Sequence, residues 1–268
     1  MEEKHSMVSG LFMHRLVQKC HRHLKYAVVA AHGPRLFRYL DRLSHRLQLC
    51  YGGRKERILE HRIISGQYEL GTEEQQAGYR QLFGEEDIQY KFDLYFHWYN
   101  IVHELGHCLL EDWGIEMPDV QEEMYVNEFA VAYWMQADGG ERMGELRRLL
   151  ETVTDALPPI VPADMGFEEY FEKIWGTDQL NNAVTYGYFQ LNSVRKAMEK
   201  CADLSAVLEK SGIEADLTAS VEAYRGEVSA AHAQDVLECA VANLKRLNLS
   251  VPQIRVELVE NPLIQCCR

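Results

Sequence analysis

Five consecutive residues, His103-Glu104-Leu105-Gly106-His107, carry the most specific chemistry in this sequence, and Glu123 follows sixteen residues after His107. Two histidines four residues apart on a helix stand about one turn apart on one face. Both imidazoles can then reach a single metal ion. A Glu directly after the first His can face the open coordination position, where a water would bind. The pattern is that of a mononuclear zinc site of the hydrolytic kind. Chance alone should produce it in about one chain per hundred of this size, so its setting matters. Ile101, Val102, Leu105, Leu109 and Leu110 make the carrying helix apolar. Two His and a Glu are costly to bury there without partners, and a metal ion supplies one.

Hydrolytic zinc sites usually take three protein ligands and leave the fourth position to water. The next helix offers Glu122, Glu123 and Glu128. A ligating His is normally oriented by an acceptor on its other ring nitrogen. Glu123 has Asn127 one turn later on the same face, so one can ligate while the other holds a histidine. Glu122 has Val126 at that spacing, and Glu128 has Ala132. Glu123 is the expected ligand, with Glu128 next and Asn127 as the histidine's support. Gly106 costs about 1 kcal/mol of helix propensity relative to Ala, which close approach of the second helix would explain. In the expected chemistry zinc lowers the pKa of water from about 15.7 towards about 7. Glu104 takes the proton and passes it to the leaving amine. A Tyr, His or Arg often stabilises the oxyanion in addition. Tyr186 is the candidate, with Tyr188, His97 and His232 as further options, although packing is the commoner role of a tyrosine.

These residues need elements to hold them. Aromatic residues from about Asp87 run into the histidine segment, and the spacing predicts one long buried helix over 88–112. Gly114 and Pro118 mark a loop, and a second helix follows over 119–137, stopped by Asp138-Gly139-Gly140. Upstream, apolar periodicity predicts basic helices over 7–31 and 34–50. His14, His21 and His23 there lack acidic or thiolate partners and read as solvated. Residues 57–70 read as strands with a hairpin turn at Ser65-Gly66. Thr72 with Gln75 predicts a capped helix to about Leu82. Downstream, a helix over 141–155 leads to a Pro-rich connection at 155–166. Helices are predicted over 167–176, 178–200, 203–211 and 214–247. The alternating segment Gln253–Val259 reads as a strand added to the early hairpin. The domain reading is a catalytic region, 1–156, and a helical C-terminal region with its terminal strand, 157–268, packed on it.

Bulk properties narrow the class. At 268 residues, with 47% hydrophobic and 26% charged residues, the chain is globular in composition. It contains no apolar run of membrane-spanning length, and neither a membrane role nor a signal peptide is expected. Seven scattered cysteines without a Cys-x-x-Cys pair suggest reduced thiols and a cytoplasmic protein. The net charge of −13 is uneven: residues 1–62 hold 13 Lys and Arg against 5 Asp and Glu, and the remainder is net −21. We read the basic helices as solvated or docked on the acidic part of the same chain, and an acidic protein is not expected to bind nucleic acid directly.

The run His103-Glu104-Leu105-Gly106-His107-Cys108-Leu109-Leu110, followed by Glu123-Met124-Tyr125-Val126-Asn127-Glu128-Phe129-Ala130 and on to Met135, resembles the ImmA/IrrE metallopeptidase family. That family's pattern is His-Glu-x-Gly-His-x-Leu-Leu, then Glu-x-Glu-Ala-Asn-x-Phe-Ala with a Leu-Leu-Met-Pro ending. The resemblance covers residues 103–135. It puts the family's metal ligands on His103, His107 and Glu123, its catalytic Glu on Glu104 and its Asn on Asn127. Tyr125 stands where the family often has a second acid, Val126 stands for Ala, and Gln136 for Pro. The resemblance implies a cytoplasmic zinc peptidase that cleaves a regulatory protein, typically a helix-turn-helix transcriptional repressor. The expected fold is α+β, mostly α-helical, with a zincin-like catalytic core, a small β-sheet and extra C-terminal helices. Two other readings remain: an interaction protein with a structural or vestigial zinc site, and a zinc hydrolase of a small amide.

Overall fold

The structure, a computed structural model, describes residues 60–180, 183–216 and 218–259. The helices expected over 7–31 and 34–50, with His14, His21 and His23, lie outside the described residues. Every described residue belongs to one compact unit, residues 56–261. The unit is mostly helical with a small two-stranded parallel sheet. The chain enters on β1 (Glu60–Gly66), makes a short 3-10 turn at Tyr68–Leu70 and continues into α1 (Glu73–Phe83). Thr72 Oγ1 accepts from Gln75 N–H, and Gln75 Oε1 accepts from Thr72 N–H, so the predicted capping box starts α1.

One continuous helix then runs from Ile88 to Asp112, as the sequence predicts. It comprises α2 (Ile88–Asp93), a π-helical turn (Leu94–Tyr99) and α3 (Asn100–Asp112). The π turn is unforeseen. The Asn100 N–H bonds back five residues to the Tyr95 carbonyl, and such wide turns gather at functional sites. Its aromatic side chains are core: Tyr95, Trp98 and Tyr99 are buried, and Trp98 stacks on Trp134 at 4.2 Å.

Pro118 leads into α4 (Asp119–Ala137), which is apolar on most sides and therefore central. It is followed by α5 (Glu141–Ala156), α6 (Phe167–Ile174), α7 (Ala183–Lys200) and α8 (Leu204–Lys210). Helices α3, α6, α7 and α8 all pack on α4. The Pro-rich connection between α5 and α6 runs within the same compact unit. Residues Val120, Phe171, Ile174, Leu180 and Phe189 form a second apolar cluster where α6 and α7 meet the start of α4. The chain closes with α9 (Ala233–Arg246) and β2 (Gln253–Val259).

Two expectations need correction. The hairpin at Ser65-Gly66 is absent: β1 ends there, and its partner is β2, in parallel register with Ile63 opposite Val256. The Gly66 carbonyl instead accepts from His97 Nε2 at 2.7 Å, which turns the chain away from a second strand. The helix expected over 214–247 begins only at Ala233. Before it, the backbone is held by long-range partners in place of a helical ladder. Glu222 N–H donates to Asn243 Oδ1, Asn243 Nδ2 donates to Glu222 O, and the Arg142 guanidinium donates to the carbonyls of Tyr224 and Gly226. No helix among the described residues is long and apolar enough to cross a membrane.

Candidate metal centre

Helical period puts His103 and His107 one turn apart on α3, with ring centroids 5.0 Å apart and planes at 83°. Both are buried, at 3% and 6% exposure. Helix α4 runs antiparallel to α3 and meets each ring with an acceptor. His103 Nδ1 lies 3.0 Å from Asn127 Oδ1, and His107 Nδ1 lies 2.8 Å from Glu122 Oε1. The Asn127 amide has one orientation, because its Nδ2 donates to the Glu123 carbonyl and its Oδ1 also accepts from the Tyr99 hydroxyl. His103 therefore carries a hydrogen on Nδ1. With both Nδ1 atoms anchored, both Nε2 atoms turn to Glu123, at 3.5 Å from Oε2 for His103 and 3.6 Å from Oε1 for His107.

Gly106 makes this approach possible. A Cβ there would meet Val126 Cβ and Cγ1 and Phe129 Cδ1, each at 3.2 Å. Without it, α3 and α4 come close enough for two residues of α3 and one of α4 to share a centre.

His103, His107 and Glu123 offer three ligand atoms within 4.8 Å of one another, and this buried group could hold a metal ion. Its electrostatics fit that use. Burial opposes the charge on Glu123, but His107 and His103 outweigh it and hold the carboxyl well below its ordinary range. Burial likewise lowers the His103 pKa, while Glu123, then Glu104 and Asn127, raise it to a net increase. The cluster thus draws positive charge inward. Glu123 is 1% exposed and its Oε1 accepts no hydrogen bond. A buried carboxylate oxygen in that position is costly unless a cation satisfies it. The two-nitrogen, one-carboxylate donor set suits a borderline divalent ion.

Glu104 is half-buried beside the cluster, and its Oε1 accepts from Asn100 Nδ2 at 3.3 Å. Its charge reaches His103, Tyr95 and Tyr186. Tyr186 comes in on α7. Its hydroxyl oxygen accepts from Gln190 Nε2 at 3.0 Å, and the same Nε2 lies 3.2 Å from Glu123 Oε2. Burial first, then the negative charges of Glu123 and Glu104, push the Tyr186 phenol well above its ordinary range, so it remains a hydrogen-bond donor. Tyr95 is pushed up by burial and by the same two carboxylates.

The remaining sequence candidates are engaged elsewhere. Glu128 accepts from Lys200 and Lys210 and is not in the cluster. His97 is fully buried, with Nδ1 on Asp93 and Nε2 on the Gly66 carbonyl. His232 pairs with Ser229 at the entry to α9, and Tyr188 packs in the second apolar cluster. Sequence reasoning weighed Glu122 only as a ligand and gave no role to Asn100, Tyr99, Tyr95 or Gln190. Asn100 and Tyr99 each precede a site residue by four positions on the same helix, a signal that was available. Glu122 required knowing that α4 runs antiparallel to α3, which sets His107 level with 122–123. Gln190 carried no signal beyond its one-turn spacing from Tyr186. No family model matches the chain, and neither does any curated protein or solved structure.

Proposed function

We propose that this protein is a zinc-dependent metallopeptidase of narrow specificity, with a zincin-like core, acting in the cytoplasm on a regulatory protein. The observation that carries the reading is the paired anchoring of His103 and His107 from α4, with Glu123 Oε1 lacking a hydrogen bond between them. The resemblance of residues 103–135 to the ImmA/IrrE peptidases supports a protein substrate, a transcriptional repressor in the typical case. His103, His107 and Glu123 would hold the ion. When bound, zinc supplies Lewis acidity, which acidifies water and polarises a carbonyl.

The chain's own residues do the rest. Glu104 is a carboxylate on the solvent-accessible side of α3, held by Asn100. It accepts a proton from the attacking water and delivers it to the leaving amine, so that one group serves as base and then acid. Tyr186 keeps its proton and donates a hydrogen bond to the carbonyl oxygen as charge develops there. The buried aromatic wall of Tyr95 and Tyr99 limits water behind the histidines. Glu104 also separates this reading from a purely structural metal site, which has no use for a carboxylate directly after its first histidine.

The test is metal analysis combined with cleavage of a randomised peptide library and of cell-extract proteins, with product termini read by mass spectrometry. One zinc per chain with cleavage, and a Glu104→Gln variant that keeps zinc but loses activity by on the order of 100-fold or more, is the expected result. One zinc with no turnover on either pool favours an interaction protein with a structural metal. Cleavage unaltered in Glu104→Gln overturns the mechanism.

A further inference from the structure

The metal ligand Glu123 has a neighbour that the metal-site pattern does not contain. Gln190 stands on α7, one turn after Tyr186, and its side chain reaches across to α4. Its Nε2 lies 3.2 Å from Glu123 Oε2 and 3.0 Å from the Tyr186 hydroxyl. The amide cannot be turned the other way, because its carbonyl oxygen would then face a carboxylate oxygen, acceptor against acceptor. An amide nitrogen has two hydrogens, and this one has two acceptors.

Each contact removes a freedom. Glu123 has two oxygens that could ligate. Oε2 takes the Gln190 hydrogen bond, whereas the buried Oε1 accepts none and has His107 Nε2 beyond hydrogen-bond distance at 3.6 Å. The amide therefore marks Oε1 as the ligand oxygen. Tyr186 has one hydrogen to give, and by accepting from Gln190 it is left to donate that hydrogen elsewhere. We propose that Gln190 is the positioning residue of this centre: its amide fixes which oxygen of Glu123 binds the ion and turns the Tyr186 hydroxyl to donate to the substrate. Helix α7, from the far side of the Pro-rich connection, thereby completes a site whose ligands all come from α3 and α4. The inference rests on the metal-centre reading above and adds to it a second residue of α7.

The test uses the full chain and metal ions alone, so no substrate is needed. Gln190→Leu keeps the size and removes both donors, and Gln190→Glu keeps the shape but sets a carboxylate against Glu123. Zinc affinity is measured by competition with a chromogenic chelator. The visible absorption of the cobalt-loaded protein reports the ligand geometry, which general loosening of α7 would leave unaltered in the bound state. Both variants are expected to bind zinc about 10–100-fold more weakly and to shift the cobalt bands, with the metal-free proteins folded by circular dichroism. Folded variants with wild-type zinc affinity and wild-type cobalt bands overturn the role of Gln190 and leave the metal centre standing. Wild-type protein that binds neither ion overturns the metal-centre reading, and this proposal with it.

Discussion

Two imidazoles, one carboxylate and the groups that orient them make a site whose charges hold one another against burial. Glu123 is held ionised by two histidines, and His103 is held protonated longer than usual by Glu123 and Glu104. Each shift is a stability term in the metal-free protein. For His103, raised above its ordinary 6.5, the term is complete below 6.5 and is lost as pH rises through the raised value. For Glu123, lowered from 4.5, the term is complete above 4.5 and is lost as pH falls through the depressed value. Both are complete together between 4.5 and 6.5. The chelated wild type should exceed Glu123→Gln in melting temperature most within that window and less on either side. A difference that is flat with pH would show that the two groups do not stabilise each other. Zinc uptake should run the other way and weaken as pH falls, since the ion must displace the histidine proton.

At the scale of elements, the α3–α4 contact is decided by one missing side chain. Gly106→Ala adds a methyl at 3.2 Å from Val126 and Phe129. Ala favours the helix by about 1 kcal/mol, whereas overpacking costs about 1–3 kcal/mol. The second effect prevails because both neighbours are fully packed, at 0% and 1% exposure, and cannot yield without moving a helix. Urea unfolding of Gly106→Ala should therefore show lower stability, and chelator competition a weaker zinc site. A variant more stable than wild type with unaltered zinc affinity would mean that the helices have slack there. The π turn before α3 acts at the same scale. It carries Tyr95 and Tyr99, which precede His103 and His107 at four-residue spacing, and Tyr99 shares the Asn127 acceptor with His103.

The whole molecule is closed by contacts between distant parts of the chain. β1 and β2 pair across nearly the full described length, and Asn243 on α9 ties the irregular segment before it to α4. Its amide donates to the Tyr133 hydroxyl and the Glu222 carbonyl and accepts from the Glu222 N–H, all with Asn243 fully buried. Asn243→Ala takes a partner from the buried Tyr133 hydroxyl and from the part-buried Glu222 N–H and carbonyl, at about 1–3 kcal/mol for each that stays dry. A loss of about 2 kcal/mol or more in chemical denaturation is expected, with zinc affinity little altered because no site residue touches Asn243. A loss below half that value would show that water replaces the amide.

How much of this was legible follows from the range of each interaction. Within one helix the backbone period fixes where side chains lie relative to one another. The sequence alone therefore determined that His103, Glu104 and His107 share a neighbourhood, that 88–112 is one helix, and that Glu123 and Asn127 act on the same face of the next. Thr72 and Gln75 announced the start of α1 for the same reason. Side chains that meet across elements leave no such period. The sequence could not tell that Glu122 faces His107, that Glu128 is taken by two lysines, that His97 belongs to Asp93 and Gly66, or that Gln190 reaches Glu123. It also favoured a local hairpin where β1 waits for a strand at the other end of the chain, and a helix where Asn243 and Arg142 hold the backbone open. Tertiary structure decided these points, because packing and hydrogen bonds between distant segments outweigh local preference wherever the alternative leaves buried polar groups unpaired.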